Sequence, residues 1–191
     1  MAAESLPVDG PPLDAPRPDD LLRVRLARMV LLMAEAPSQP NRKPADIERL
    51  GAYDFFADNP MLLFDEDSRQ RRDLLIAGFD PRSFSYHSSS QRFTNRRARM
   101  QHDLAHLLAR GVIAAQRDGT RVVFVLTDRG TALASQFVSS YADAYRVSAR
   151  LVARELNRSS DTNLRERIAQ VVEARPFVID LYSETLMDVP T

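Results

Sequence analysis

The apolar positions of this chain fall into helical stripes, interrupted once by a β-rich stretch. Leu22, Leu26, Met29, Val30 and Met33 recur at the spacing of one helix face, so a first helix is expected from Asp19 or Asp20 to Ala36. Either aspartate suits an N-cap, and Pro37 and Pro40 end the segment. A second helix is expected over Pro44 to Ala57, with Ile47, Leu50, Tyr53 and Phe56 on its apolar side and Asn59-Pro60 as the break. Met61 to Ser90 reads as a long inserted loop holding one short helix, Ser68 to Ala77. A third helix, Thr94 to Arg110, buries Met100, Leu104, Leu107 and Leu108 and closes at Gly111.

The stretch after Gly111 changes period. Val112-Ile113 and Val122 to Leu126 flank Asp118-Gly119, a strong signal for a tight β-hairpin turn. From Thr127 the pattern returns to helix and predicts one long element to Asn157, roughly 45 Å long at 1.5 Å per residue. Leu133, Phe137, Tyr141, Tyr145, Leu151 and Val152 lie close to one side of it. A last helix is expected over Thr162 to Ala174, broken by Pro176.

Three helices, a hairpin and further helix is the order of a winged helix. The expected fold is mainly α with a small β-hairpin: a winged helix with a long C-terminal helical extension. Residues 1–18 form a disordered acidic and proline-rich tail in this reading. Residues 19–127 form the winged-helix domain with the inserted loop 61–90. Residues 128–175 extend it for partner contact, and 176–191 are a second tail. The competing reading is a small α+β domain with an incidental hairpin.

Composition narrows the function. Formal net charge is +0, so nucleic-acid contact must rest on local charge. The chain has no cysteine, which removes disulfides, thiol nucleophiles and cysteine-based zinc sites. No apolar run approaches the ~20 residues of a membrane span, and the N-terminus lacks the basic and apolar regions of a secretory signal. No membrane contact and a cytoplasmic location are therefore expected.

Catalytic chemistry is not expected, nor a cofactor or a bound metal. His102 and His106 have the i, i+4 spacing of helical metal ligands, but no glutamate follows the first histidine as a zinc protease requires. Asp65-Glu66-Asp67 reads as solvated surface. The glycines are dispersed singly, so no loop cradles a phosphate. What stands out instead is charge at the start of the third helix. Arg92, Arg96, Arg97 and Arg99 gather there, and Arg117 and Arg121 flank the hairpin turn. These six are the candidate nucleic-acid contacts, suited to a DNA backbone. The competing reading is a solvated arginine face or pairing with acids of a partner. Phe137, Tyr141, Tyr145 and Leu151 on the long helix are the candidate partner contacts, since aromatics are enriched at such surfaces.

Several segments resemble the middle component of bacterial ABC-three component systems. They are Arg49-Leu50-Gly51-Ala52-Tyr53-Asp54-Phe55-Phe56, Phe79-Asp80-Pro81, Gln91-Arg92-Phe93 through Arg96-Arg97, and His102-Asp103-Leu104. Thr127-Asp128-Arg129-Gly130 and Ser139-Ser140-Tyr141-Ala142-Asp143-Ala144-Tyr145-Arg146 are similar as well. The resemblance covers roughly residues 20 to 175 and rests on structural rather than catalytic motifs. It implies a small winged-helix-like subunit beside an SMC-like ATPase and an effector in Lamassu-type antiviral defence. The chain would bridge or regulate those partners, and the ATPase would handle the nucleotide. The alternative is a winged-helix transcriptional regulator that dimerises through its long helix and binds an operator.

Overall fold

Two helices carry so many apolar residues that they can only be central. In α1 (Leu22–Glu35) six consecutive residues, Arg28 to Met33, are buried; in α2 (Ile47–Asp58) everything from Arg49 to Ala57 is. A helix buried all round must be wrapped by others. The computed structural model describes residues 21–36, 45–79 and 89–173. Within them α1 packs on α2, α4 (Ser89–Ala109), α5 (Asp128–Ser135) and α6 (Ser140–Asn157). Helix α2 packs on α4, α6 and α7 (Asp161–Glu173). The short α3 (Arg69–Ile76) leans on α6 and follows a 3-10 turn, Pro60–Leu62. Phe55 and Phe56 meet edge to face in the core, 5.2 Å between ring centroids.

Local chemistry sets the boundaries. Asp46 caps α2 by accepting from the Arg49 N–H at 2.9 Å, while the expected start at Pro44 lies outside the described residues. Ser68 caps α3 in the same way. Helix α4 ends as its glycine predicts. Gly111 adopts φ +63°, its N–H donates to Leu108 O, and the Val112 N–H donates to Leu107 O. That pair of bonds satisfies the last carbonyls of the helix. The expected first-helix caps Asp19 and Asp20, and both expected tails, lie outside the described residues.

The hairpin is present. Strand β1 (Ile113–Asp118) pairs antiparallel with β2 (Arg121–Leu126), with Asp118 opposite Arg121. The two turn residues are therefore Gly119 and Thr120, one position later than the sequence suggested. Gly119 supplies the positive φ of +58° that a tight hairpin turn needs. The described residues are thus mainly helical with one small two-stranded sheet.

The expected long helix from Thr127 to Asn157 is instead two helices, α5 and α6. Ser139 accounts for the break: its hydroxyl accepts from the Ala142 N–H and caps a new helix. The carbonyls freed at the end of α5 are collected by Arg146, which donates to Ala134 O and, at 2.9 Å, to Phe137 O. At 1.5 Å per residue α6 is about 27 Å long, well short of the expected 45 Å. The single apolar side drawn from Leu133 to Val152 is accordingly divided between two helices.

Helix α5 abuts the base of the hairpin. Thr127 caps it by accepting from the Gly130 N–H, and the same hydroxyl lies 2.8 Å from Gly111 O and 2.9 Å from Val112 O. A Cβ on Gly130 would stand 2.2 Å from Val112 O, so only glycine fits there.

Candidate interaction surfaces

Two clusters of charged residues tie the helices together. The first cluster lies between α1, α2, α4 and α6. Asp54 and Asp58 stand one turn apart on α2, the only charged residues between positions 50 and 58. Arg96 of α4 donates to Asp54 Oδ2 at 2.8 Å and to Asp58 Oδ2, and its side chain is only 10% exposed. Arg28 of α1 approaches Asp58 at 3.1 Å and Asp54 at 3.9 Å. Its guanidinium also sits 5.6 Å from the Tyr145 ring centroid. Two carboxylates and two guanidinium groups thus balance in the interior, where an unmatched charge would be costly. Burial, and then the nearby Asp54 carboxylate, push the Tyr145 hydroxyl well above its ordinary range. Nearby, Ser148 donates to Ala57 O at 2.6 Å.

A second cluster joins α2, the hairpin and α7. Buried Arg49 donates to Asp161 Oδ1 at 2.6 Å, to Tyr53 Oη, and to the carbonyls of Leu156 and Ser159. Arg121 at the hairpin turn donates to Asp161 Oδ2 at 2.7 Å and approaches Asp46 at 3.5 Å. Hydrogen bonds from Arg49 and Arg121 lower the Asp161 carboxyl to about 2. Burial works against the charge of Arg49, but its bonds to Asp161 and Tyr53 outweigh that, and its pKa is raised.

These clusters redistribute the candidate nucleic-acid contacts. Arg96 is turned inward, a correction to its place on a DNA-facing surface; Asp54 and Asp58 draw it there. Arg121 remains about half exposed but is held by two acids. Arg99 on α4 and Arg117 on β1 are exposed. Arg92 and Arg97 belong to α4, and their side chains lie outside the described set.

The candidate partner contacts divide as well. Tyr145 is a core residue at 2% exposure, so it offers no surface to a partner. Phe137 and Leu151 are partly buried against the core. Tyr141 is half exposed, with its ring stacked on Tyr145 at 6.3 Å. Tyr141, Tyr145 and Ala144 of α6 line a cleft of about 140 Å³ with Asp58, Gly78 and Phe79. The structure also exposes apolar side chains that periodicity did not single out: Leu75, Ile76 and Val138, the last two more than four-fifths exposed. Their signal is negative, since each sits at an element end where helical spacing stops predicting burial.

Among the described residues no group of three or more His, Asp or Glu side chains is placed to hold a metal ion. Among them, too, no helix is long and apolar enough to cross a membrane.

Fold and clusters define a mainly helical protein, carrying one hairpin, whose helices are tied together by internal arginine–carboxylate pairs. Residues 27–175 match the family described as ABC-three component (ABC-3C) system Middle Component 2, and the chain belongs to that family. As a middle component it works alongside the other components of such a system. Comparison with curated proteins found no match, and neither did comparison with solved structures.

Proposed function

We propose that the chain is a non-enzymatic winged-helix adaptor. It bridges or regulates an SMC-like ATPase and an effector in cytoplasmic anti-phage defence. The observation that carries the adaptor reading is the half-exposed Tyr141 lining the cleft beside α6, in a chain that also exposes the apolar side chains of Leu75, Ile76 and Val138. Exposed apolar surface is a common feature of protein interaction sites. Family membership supports partners within the same system.

The winged-helix reading is supported by one backbone bond. The Phe124 N–H of β2 donates to Ala45 O, just before α2, at 3.1 Å. A short bridge between the first two helices, paired with the returning wing strand, fits a winged-helix core. Helix α4 then takes the position of the third helix and β1–β2 that of the wing.

Co-purification of the tagged chain from its native host tests the adaptor role. The wild type is expected to recover a large ATPase, and Ile76→Glu with Tyr141→Ala to lose it while remaining folded. Recovery with no ATPase partner would overturn the proposal.

Direct DNA contact is a second reading, favoured by the exposed Arg117 on the wing and Arg99 on α4. Salt-dependent DNA binding that weakens in Arg99→Glu with Arg117→Glu supports it. A regulator would in addition protect a palindromic operator as a dimer.

A further inference from the structure

We propose that His102 and His106 form a two-imidazole chelate for one divalent transition-metal ion, with Cu²⁺ the best fit, and that Arg110 gates it. The two side chains share a face of α4, with rings at 85° and Nε2 atoms 2.9 Å apart. Asp103 between them is no competitor, because it is buried and paired with Arg25 at 2.8 Å.

The third member of the row fixes the protons. Arg110 Nη1 lies 3.0 Å from His106 Nδ1 and donates to the His106 carbonyl as well. A guanidinium has no acceptor, so His106 Nδ1 must carry a lone pair. Neutral His106 then holds its proton on Nε2 and donates it to His102 Nε2. His102 keeps its own proton on Nδ1. Two nitrogen lone-pair positions thus face each other across a single proton.

That gap has the dimensions of a metal bite. Two nitrogens 2.9 Å apart, each at the usual ~2.0–2.1 Å from one ion, subtend about 90° there. A right angle belongs to the tetragonal coordination of Cu²⁺ or Ni²⁺, and copper binds such nitrogen ligands more strongly. A regular tetrahedral zinc site at the same bond length wants the nitrogens roughly 3.4 Å apart. Water fills the remaining positions.

Binding carries its own proton shift. For the ion to take both Nε2 atoms, the His106 proton must move to Nδ1. Both imidazoles stay neutral and no proton is lost. His106 Nδ1 then becomes a donor, and Arg110 has to leave it. The guanidinium therefore opposes the ion twice, by its hydrogen bond and by its charge.

Titration of the full-length chain with Cu²⁺, followed by calorimetry and electron paramagnetic resonance, tests this. The wild type is expected to bind one Cu²⁺ with two-nitrogen hyperfine structure. His102→Ala and His106→Ala should each weaken binding at least tenfold, and His87→Ala should leave it unchanged. Arg110→Met should tighten it, by about tenfold for removal of one nearby charge. His102 and His106 on α4 and Arg110 just after it are exposed or partly exposed, and circular dichroism checks that the variants fold. Wild-type affinity in either His102→Ala or His106→Ala overturns the chelate, and unchanged affinity in Arg110→Met overturns the gate.

Discussion

Arg96 and Asp54 meet at 2.8 Å across the α4–α2 contact, with both side chains almost wholly withdrawn from water. Removing the arginine takes one of the two described guanidinium partners from the Asp54 and Asp58 carboxylates. Loss of one partner from a buried ion pair costs about 3–5 kcal/mol. Urea denaturation of Arg96→Met should show a loss on that scale. The isosteric pair Arg96→Met with Asp54→Leu should recover part of it. A loss under 1 kcal/mol in the single variant would mean that the cluster is solvated.

Asp161 titrates near 2 in the folded chain against 3.8 ordinarily. A depressed carboxyl contributes stability above its unfolded pKa and loses it as pH falls through the folded one. The stability difference between the wild type and Asp161→Asn should hold steady above about pH 5. It should shrink from pH 4 downward and be lost as pH falls through about 2. Denaturant midpoints of the two proteins across that range check the sign. A difference independent of pH would refute the paired carboxylate.

Gly130 has no room for a methyl group, because Val112 O and the Leu126 side chain occupy its place. Overpacking of this kind costs about 1–3 kcal/mol. Gly130→Ala should lower the melting temperature. Thr127→Ala should lose about 1 kcal/mol with its cap, and Thr127→Ser should keep most of it.

Arg146 satisfies the carbonyls of Ala134 and Phe137 where α5 ends. Hydrogen bonds to a charged donor are worth about 1.5–3 kcal/mol each, and Arg146→Ala removes two of them. Hydrogen exchange over residues 134–142 should accelerate in that variant. Protection equal to the wild type would show that another group holds the link.

Helix α1, helix α2, the end of α4 and the hairpin are legible in the sequence because local rules and core packing agree there. Thr127 and Gly111 act as their residue types predict. The α5–α6 break was hidden because Phe137 and Tyr141 keep helical spacing across it. Its signals were the capping serine Ser139 and a remote arginine. Arg96 looked like surface charge for a similar reason. Its partners Asp54 and Asp58 lie some 40 residues earlier, on a helix whose pattern otherwise asks for apolar contacts. An i, i+4 pair of acids on a buried helix demands cations from elsewhere, and that rule would have found the cluster. Tyr145 and Tyr141 look alike in a helical stripe, and only the fold separates core from rim.

One carboxylate, Asp161, accepts from the interior through Arg49 and from the hairpin turn through Arg121. The stabilities of the hairpin turn and of α7 are therefore coupled through one acceptor. Substitutions at Arg49 and Arg121 should be non-additive in a double-mutant cycle, since each removes a bond to the same acceptor. A force applied to α7, by a neighbouring subunit or by a pulling tether, would reach the hairpin turn through that one shared carboxylate.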